Sequence, residues 1–246
     1  MVYLILSDIH ANWEALEAVV QAAKGKYEAV LCCGDVAGYG ADPNRVIEWV
    51  REHVRLTVRG NHDKFCSGLE PFYDISYLAE EAAKWTISKL TEPNRQWLRA
   101  LPKGPVDFEG MKLLHGSVRD EDEYIATEDE ARGVRDLLGA NVLFFGHTHQ
   151  QEIYYCNRNG VRQMAGPKGG DTQFVWSVDE TASWLINPGS VGQPRDRDSR
   201  AAYALYDTQF RLLSLHRTPY DIGEAQRKIL AAGLPEMLAS RLAIGS

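Results

Sequence analysis

Short apolar runs recur along the chain, and small or ionisable residues follow each of them at once. The five clearest runs are Val2–Leu6, Ala29–Cys33, Leu56–Val58, Lys112–Leu114 and Val142–Phe145. Runs of this length that end at Gly, Asp or His are typical of strands buried on both faces, as in a sheet covered by helices. The pattern therefore predicts a buried sheet with polar side chains at the strand ends.

Helical patterns separate the first three runs. Residues 13–20 place apolar side chains on one face, with Asn12 as a candidate N-cap, and Asp42–His53 form a second pattern with Pro43 in the first turn. A strand–helix–strand–helix–strand opening predicts parallel pairing. Because ligands collect beyond the carboxyl ends of such strands, the polar residues there predict a functional site.

The rest of the chain predicts a helical insertion and then mostly strands. Helical spacing at about 64–105 indicates an insertion that forms a wall of the site. The predicted later strands are Gln151–Cys156, Val161–Ala165, Gln173–Val178, Trp184–Ile186, Ala201–Asp207 and Phe210–Arg217. Their hairpin-like spacing favours a second, more antiparallel sheet packed on the first. Two helices, Ile222–Ala232 and Pro235–Ala243, are expected to follow, and we expect a mobile loop at 166–171.

Composition and charge narrow the class of protein. The 246 residues are 44% apolar, and 27 basic against 34 acidic residues give a net charge of −7. This charge opposes binding to long nucleic acid or anionic lipid, and no apolar run reaches the roughly 20 residues needed to span a bilayer. The N-terminus lacks the features of a signal peptide, and the four cysteines have no C-x-x-C spacing. We therefore expect a cytoplasmic protein.

The histidines are concentrated at the predicted strand ends, where five of the seven lie. In an extended segment residues two apart point the same way, so Asp8 and His10 are expected to reach one ion, as are His147 and His149. Nitrogen and oxygen donors without thiolate suit Mn²⁺, Fe²⁺, Zn²⁺ or Ni²⁺. Each motif alone is more often a turn than a ligand set, but five successive strand ends in one chain favour a metal site.

The residues at these strand ends carry a resemblance. In order they are Asp8-x-His10, Gly34-Asp35, Gly60-Asn61-His62-Asp63, His115 and Gly146-His147-Thr148-His149. This set resembles the calcineurin-like metallophosphoesterase superfamily, and the segment 187–195 is similar to its small prokaryotic phosphodiesterase branch. The resemblance implies an α/β (α+β) fold, a four-layer α/β/β/α sandwich of two mixed sheets flanked by helices. It also implies one domain over residues 1–246.

The resemblance further implies two divalent metal ions, with Mn²⁺ expected first and Fe, Zn or Ni as alternatives. The implied ligands are Asp8, His10 and His149 for one ion and Asn61, His115 and His147 for the other. Asp35 would bridge both ions, which agrees with the physical argument that two cations about 3.5–4 Å apart need a shared anionic ligand. His62 matches a histidine that is not a ligand and faces the leaving group.

A phosphate ester is anionic and repels a hydroxide nucleophile, and this repulsion leads to the predicted mechanism. Two metals neutralise the phosphoryl oxygens and supply a bridging hydroxide that attacks in line, and a protonated His62 gives its proton to the leaving group. Asp63 either orients the His62 ring or caps a helix, and we weigh the two equally. Asn12 and Arg195 are candidate substrate contacts. Their alternatives are a helix cap for Asn12 and a solvated ion-pair stretch around Arg195.

The predicted substrate is a small phosphate ester or nucleotide. Serine/threonine protein phosphatase relatives carry an arginine shortly after the bridging aspartate, but here Val36–Gly40 follow Asp35. This departure favours a phosphodiesterase or a hydrolase of small phosphate esters. Candidate stacking residues for a base are Tyr39, Phe65, Phe72, Tyr73 and Trp85, although core packing explains most of them. The alternatives are nucleotide pyrophosphate or dinucleoside tetraphosphate hydrolysis, and a non-catalytic protein-binding scaffold. The oligomeric state is left open.

Overall fold

All five apolar runs form strands. The computed structural model describes residues 1–72, 75–139, 141–167 and 172–246. Its strands are β1 (Val2–Leu6), β2 (Ala29–Cys32), β3 (Val54–Thr57), β4 (Val106–Phe108), β5 (Met111–Leu113), β6 (Val142–Phe144), β7 (Gln151–Asn157), β8 (Gly160–Ala165), β9 (Gln173–Ser177), β10 (Ser183–Pro188), β11 (Ala201–Asp207) and β12 (Leu212–Thr218). The predicted strand boundaries differ from these by only a few residues.

The helices lie between the first four strands, between the fifth and sixth strands and after the last strand. They are α1 (Trp13–Ala23), α2 (Pro43–His53), α3 (Asn61–Ser67), α4 (Tyr77–Lys89), α5 (Glu92–Ala100), α6 (Glu128–Leu138), α7 (Ile222–Ala231) and α8 (Glu236–Ser240), with a short 3₁₀ helix at Arg241–Ala243. The oxygen of the Asn12 side chain accepts from Ala15 N at 3.1 Å, which is the predicted N-cap.

The strands form two six-stranded mixed sheets. The first has the order β3-β2-β1-β11-β12-β9 and the second β4-β5-β6-β10-β7-β8. The predicted parallel pairing of β1, β2 and β3 is confirmed. The predicted second sheet contains β7, β8 and β10, which pair antiparallel. The prediction is wrong for the other later strands, because β11 pairs antiparallel with β1 and brings β12 and β9 into the first sheet. Such pairing between distant segments leaves no trace in the local pattern.

Strand β1 shows why the molecule has four layers. Leu4 and Leu6 point to one side, where they pack with Leu16 of α1 and with α2. Tyr3 and Ile5 point to the other side and pack against the second sheet. All four side chains are fully buried, and each contributes about 1.5–3 kcal/mol through burial. The expected α/β/β/α sandwich is confirmed.

Helix α6 covers the outer face of the second sheet, and the sequence pattern failed to predict it. Ala131 and Val134 of α6 pack on Phe145 and Tyr154. A capping box marks its start: Glu130 N donates to Thr127 Oγ1 at 3.3 Å, and Thr127 N donates to the Glu130 carboxylate at 2.9 Å. The Thr-x-x-Glu signal was therefore present in the sequence.

The predicted helical insertion contains α3, α4 and α5, and its first helix begins at Asn61 rather than at 64. Ala79 and Ala82 of α4 pack against the C-terminal helices through Leu238 and Leu242. The two predicted C-terminal helices are present as α7 and α8. The assignment of residues 1–246 to one domain stays a prediction.

Three further observations bear on the sequence predictions. The four cysteines are buried and free. Among the described residues, none of the helices combines the length and the apolar character that crossing a membrane requires. Of the predicted mobile loop, residues 168–171 lie outside the described residues, as does the candidate stacking residue Tyr73.

Candidate metal centre

The predicted site residues lie together at the carboxyl ends of the strands. Asp8 and Asp35 follow β1 and β2 of the first sheet, and Asn61 follows β3. His115 follows β5 of the second sheet, and His147 and His149 follow β6. The two sheets therefore present their polar residues to one centre, and these acidic and imidazole side chains are almost fully buried.

The backbone at this centre is left-handed rather than extended. The residues with positive φ are Asp8 (52°), His10 (48°), Asp35 (54°), His147 (69°) and His149 (59°). Each such non-glycine residue costs roughly 1–2 kcal/mol. The predicted extended geometry of Asp8 and His10 is thus wrong, although their side chains do converge. Strained residues of this kind cluster at functional sites, where the surrounding fold holds them.

Two groups of candidate ligands share Asp35. One contains Asp8, His10, Asp35 and His149, and the other contains Asp35, His115 and His147; within each group the ligand atoms lie within 4.8 Å of one another. His147 and His149 therefore belong to different groups, which corrects the expectation that they reach one ion. The division agrees with the one that the family resemblance implies.

Asp35 stands between the two groups. Its Oδ1 accepts a hydrogen bond from His62 N at 2.9 Å. Its Oδ2 lies 3.5 Å from His10 Nε2 and 3.4 Å from His115 Nε2, and it is buried without a hydrogen-bond partner among the described residues. A buried, unpaired carboxylate oxygen is costly unless positive charge compensates it. This donor set fits a cation on each side of Asp35.

Backbone carbonyls fix the orientation of four imidazoles. Because a carbonyl oxygen only accepts, the ring nitrogen facing it must carry the proton and the other nitrogen keeps its lone pair. The ring–carbonyl distances are 3.0 Å for His10 Nδ1 to Ala37, 2.8 Å for His115 Nδ1 to Cys33, 2.9 Å for His147 Nε2 to Asp122 and 2.6 Å for His149 Nδ1 to Gln193. The remaining nitrogen of each ring is the one that would bind a metal, in His115 after loss of the proton that Asp35 favours.

Two close contacts join candidate ligand atoms of different residues at the centre. The Nε2 atoms of His10 and His149 lie 3.1 Å apart. Asn61 Oδ1 lies 3.1 Å from His115 Nε2. With their Nδ1 protons facing carbonyl oxygens, neutral His10 and His149 bring two Nε2 lone pairs together, an arrangement that a metal ion between them would stabilise. The Asn61 oxygen lies against the His115 nitrogen that would bind the second ion. Asn61 therefore occupies the position of a ligand in the second group.

Burial and charge shift the pKa values of the centre in different directions. Burial lowers the pKa of His147 to about 3, and it holds the pKa of His149 well below its ordinary value. Burial acts in the same direction on His115, but the carboxylate of Asp35 raises the pKa of that ring to about 10. Burial acts to raise the pKa of Asp35, but His115 and its other neighbours hold it well below its usual range. The centre therefore favours positive charge beside Asp35.

Comparison with known proteins agrees with this geometry. The family model for the calcineurin-like phosphoesterase superfamily domain matches residues 1–211. The chain belongs to this superfamily. Its members typically bind divalent metals, and the buried carboxylates and imidazoles of this member form a centre that could hold them.

Individual relatives are similar to this chain over almost its whole length. An uncharacterized protein of Methanocaldococcus jannaschii, MJ0912, is 33% identical over 98% of this chain and 97% of its own. The crystal structure of a metallophosphoesterase from Sphaerobacter thermophilus is 36% identical, with a TM-score of 0.88 over 100% of this chain and 99% of that one. The hypothetical protein PH1004 from Pyrococcus horikoshii OT3 shares the fold at 20% identity, with a TM-score of 0.79 over 100% of this chain and 98% of that one.

Asp63 of this superfamily member contacts backbone amides rather than the His62 ring. Its carboxylate accepts from Asp35 N at 2.9 Å, Val36 N at 2.9 Å, Ala37 N at 3.1 Å and Gly60 N at 3.0 Å. These bonds cap α3 and hold the loop that carries Asp35. The capping alternative therefore describes its contacts, and Asp63 acts on the centre by positioning Asp35.

His62 lies beside the centre and belongs to neither ligand group. Its ring packs edge-on against His10 at 4.9 Å between centroids and lies 4.4 Å from the ring of Tyr39. Its Nδ1 is buried without a hydrogen-bond partner among the described residues. Burial lowers the pKa of His62 to about 4, and the charge of Arg195 acts in the same direction. The free ring is therefore neutral at pH 7, and a bound anion would raise its pKa.

A cleft of about 450 Å³ opens onto the centre. It is lined on one side by Asp35, His62 and His149 and on the other by apolar residues of the helical segment. Arg195 reaches the cleft, with its guanidinium 3.0 Å from Gln193 Oε1 and 3.4 Å from Tyr39 Oη. Asn12 does not line this cleft: it caps α1 and donates to Gly192 O at 2.9 Å. These contacts are those of the helix-cap alternative, and a substrate contact at Asn12 stays a prediction.

Sequence reasoning missed two residues of the cleft wall. Tyr124 stacks on His147 with 4.1 Å between ring centroids and 12° between ring planes. Arg241, in the 3₁₀ helix near the end of the chain, also lines the cleft. Neither residue follows a strand or belongs to a motif, and each reaches the site only through tertiary packing.

Proposed function

We propose that this protein is a binuclear metal-dependent phosphoesterase that hydrolyses phosphodiesters or other small phosphate esters. The observation that carries the proposal is the buried Oδ2 of Asp35, which has no hydrogen-bond partner among the described residues and lies within 3.5 Å of a ring nitrogen from each ligand group. One carboxylate between two nitrogen-rich groups is the arrangement that two adjacent cations require.

The donor chemistry supports first-row divalent ions, and we propose Mn²⁺ as the native metal. The ligand set holds imidazole nitrogen and carboxylate or amide oxygen, without thiolate. When bound, two such cations would neutralise the phosphoryl oxygens and lower the pKa of the water between them. Asp8, Asp35, Asn61 and the four oriented imidazoles would hold both ions.

The remaining residues supply positioning and proton transfer. Asp63 holds the loop of Asp35 through three of its backbone amides. His62 stands beside both ligand groups without belonging to either, where its ring can give a proton to the departing oxygen. The negative charge of a bound phosphate opposes the effect of burial on the pKa of His62, so substrate binding itself favours the protonated ring.

The shape of the cleft supports a small ester with an apolar or aromatic group. Phe65, Ile75 and Ala79 face the centre across about 450 Å³, which suits a small molecule better than a protein chain. No arginine follows Asp35 within residues 36–40, which favours a phosphodiesterase over a protein phosphatase. With a net charge of −7, long nucleic acid is not the expected partner. We propose a cytoplasmic location.

Hydrolysis of bis-p-nitrophenyl phosphate tests the proposal. We expect metal-loaded protein to release p-nitrophenolate, a chelator to stop the release and added Mn²⁺ to restore it. Anomalous scattering from Mn²⁺-soaked crystals should give two peaks, one on each side of Asp35. Product stoichiometry on a dinucleoside tetraphosphate separates pyrophosphate cleavage from diester cleavage. Metal-loaded protein that cleaves neither monoester nor diester would overturn the proposal.

A further inference from the structure

Two guanidinium groups from distant parts of the chain approach one tyrosine ring. The guanidinium carbon of Arg195 lies 5.8 Å from the centroid of the Tyr39 ring, and that of Arg241 lies 5.7 Å from it. Arg195 follows β10, whereas Arg241 belongs to the 3₁₀ helix after α8. Both arginines line the cleft that opens onto the metal centre.

Neither guanidinium pairs with an Asp or Glu side chain in the part of the chain that the structure describes. None of the ion pairs found within residues 1–72, 75–139, 141–167 and 172–246 includes Arg195 or Arg241. The acids next to Arg195 bind other partners: Asp196 pairs with Arg217, and Asp198 pairs with Arg200 at 2.5 Å. Arg195 Nε is buried without a hydrogen-bond partner among the described residues. Two like charges on one ring without an acidic side chain beside them repel each other, and a bound anion would relieve that repulsion.

The fold holds Arg241 in this position. Arg241 Nε donates to Ser246 O at 2.6 Å, and Arg197 N donates to Gly245 O at 2.9 Å. Gly245 has a φ of +63°, and a Cβ added there would lie 2.7 Å from the backbone of Asp198. This close approach fixes the 3₁₀ helix against the segment that carries Arg195, so the two guanidinium groups form a built surface.

The paired arginines lie next to the reacting end of the cleft. The Tyr39 ring that they share has its centroid 4.4 Å from that of His62 and 4.7 Å from that of His10. A small molecule bound at the metal centre would therefore extend over Tyr39 toward both guanidinium groups. Planar guanidinium forks bind phosphate and carboxylate oxygens in pairs.

We propose that Arg195 and Arg241 form a subsite for a second anionic group of the substrate. The preferred substrate is then a phosphate ester that carries a further phosphate near the ester that is cleaved. The inferred substrate preference rests on the proposed function, whereas the inferred binding of an anionic group by the two arginines does not. Arg241 lies outside residues 1–211, the part that the family model matches. The proposal makes it a specificity-determining residue contributed by the C-terminal segment.

Binding of two phosphonates tests the subsite without any hydrolysis. Methylenediphosphonate carries two anionic groups and methylphosphonate carries one, and neither has an ester to cleave. Calorimetric titration of metal-loaded protein should show that R241Q weakens methylenediphosphonate binding about tenfold or more. The same substitution should change methylphosphonate binding less than about twofold. Equal losses for both ligands, or no loss for either, would overturn the subsite.

Two further variants serve as controls. R227Q removes an arginine of α7 whose ion pair, among the described residues, is with Glu224 on the same helix at 2.5 Å, so both affinities should stay as in the wild type. R241K keeps the charge without the planar fork and should recover part of the affinity for methylenediphosphonate. If R241Q melts early, R241K carries the test, and wild-type affinity for both phosphonates in R241K would then contradict the inference.

A matched pair of esters separates this inference from the proposed function. The p-nitrophenyl ester of thymidine 5′-phosphate and its 3′-phosphorylated derivative release the same chromophore and differ by one phosphate. We expect R241Q to raise KM about tenfold for the derivative only, with kcat little changed. If the wild type cleaves neither ester, the proposed function fails, and the phosphonate titration still decides the subsite. If R241Q affects both esters equally, the subsite fails and the proposed function stands.

Discussion

At the scale of single residues, Asp35 lies so close to the Cα atom of Gly60 that no side chain fits there. A Cβ added at Gly60 would lie 2.1 Å from Asp35 Oδ1 and 2.5 Å from Asp35 N. We predict that G60A displaces Asp35, lowers the free energy of unfolding by about 1–3 kcal/mol and reduces metal content. Thermal unfolding and elemental analysis of the purified variant measure both effects.

G133A is a matched control. Gly133 lies within α6, and a Cβ there would meet only Arg119 Nη2 at 3.6 Å. Alanine at this helical position should stabilise the protein by about 0.5–1 kcal/mol and leave metal content unchanged. A G60A protein that binds metal as the wild type does would show that the space around Asp35 is not needed.

His62 offers a test that separates proton transfer from metal binding. Because it belongs to neither ligand group, H62A should keep its metal content while kcat falls about 100- to 10,000-fold. Elemental analysis and turnover of bis-p-nitrophenyl phosphate measure the two effects. H53A, which removes a ring stacked on Trp49 at the end of α2, is the control. Joint loss of metal and turnover in H62A would instead indicate a ligand.

The residue scale also shows where sequence reasoning stops. Asp8, His10 and Asp35 were predictable because each lies within four residues of the end of an apolar run. Their left-handed backbone was not, since favourable local geometry would not choose it for a non-glycine residue. Arg241 was not predictable either, because a single arginine in a helix carries no local signal of a partner 46 residues away at Arg195.

At the scale of elements, strand β7 carries a buried acid outside the metal centre. Glu152 is 4% exposed and accepts from Gln163 Nε2 at 2.6 Å. Burial raises its pKa from 4.5 to about 7. An acid whose pKa is raised on folding contributes stability that is present below pH 4.5 and is lost as the pH rises through 7.

E152Q removes this contribution. We predict that the stability of E152Q relative to the wild type rises as the pH is raised from about 5 to about 8, by at most about 1.4 kcal/mol per pH unit. Urea unfolding at several pH values measures it, and the difference between the two proteins cancels their other titrations. E17Q, at an exposed position of α1, controls for the loss of a carboxylate. A difference that stays flat with pH would contradict the prediction.

Elements with a strong local pattern were predictable, and elements defined by distant pairing were not. The five apolar runs and helices α1 and α2 follow from hydrophobic spacing within about ten residues. The sheet to which β11 belongs depends on its pairing with β1, almost 200 residues earlier. Helix α6 is an intermediate case, because its Thr127–Glu130 capping box was visible but its acidic first turn hid the apolar face.

At the scale of the whole molecule, metal binding should add to the stability of the fold. The ligands are distributed over residues 8–149, so the unfolded chain cannot present them together. Metal at about 100 times its dissociation constant adds about 2.7 kcal/mol, which corresponds to a rise in Tm of roughly 5–10 °C. Calorimetry with and without chelator measures this shift. Equal melting temperatures would indicate that no ion binds the folded centre.

The same experiment at several pH values gives the sign of the proton linkage. In the metal-free protein the carboxylate of Asp35 raises the pKa of His115 to about 10, although burial acts in the opposite direction. A metal must displace that proton, so its affinity should fall as the pH falls, by up to about tenfold per pH unit. Affinity that rises toward low pH would exclude His115 as a ligand.

The contribution of both sheets to one centre has a consequence for the slow fluctuations of the molecule. Asp8 and Asp35 belong to the first sheet, whereas His115, His147 and His149 belong to the second. Ligands drawn from both would restrain the transient separation of the sandwich halves. Deuterium uptake should therefore accelerate after chelation in β1, β2 and β6, where the strands end at the centre, and much less in the edge strands β4 and β9.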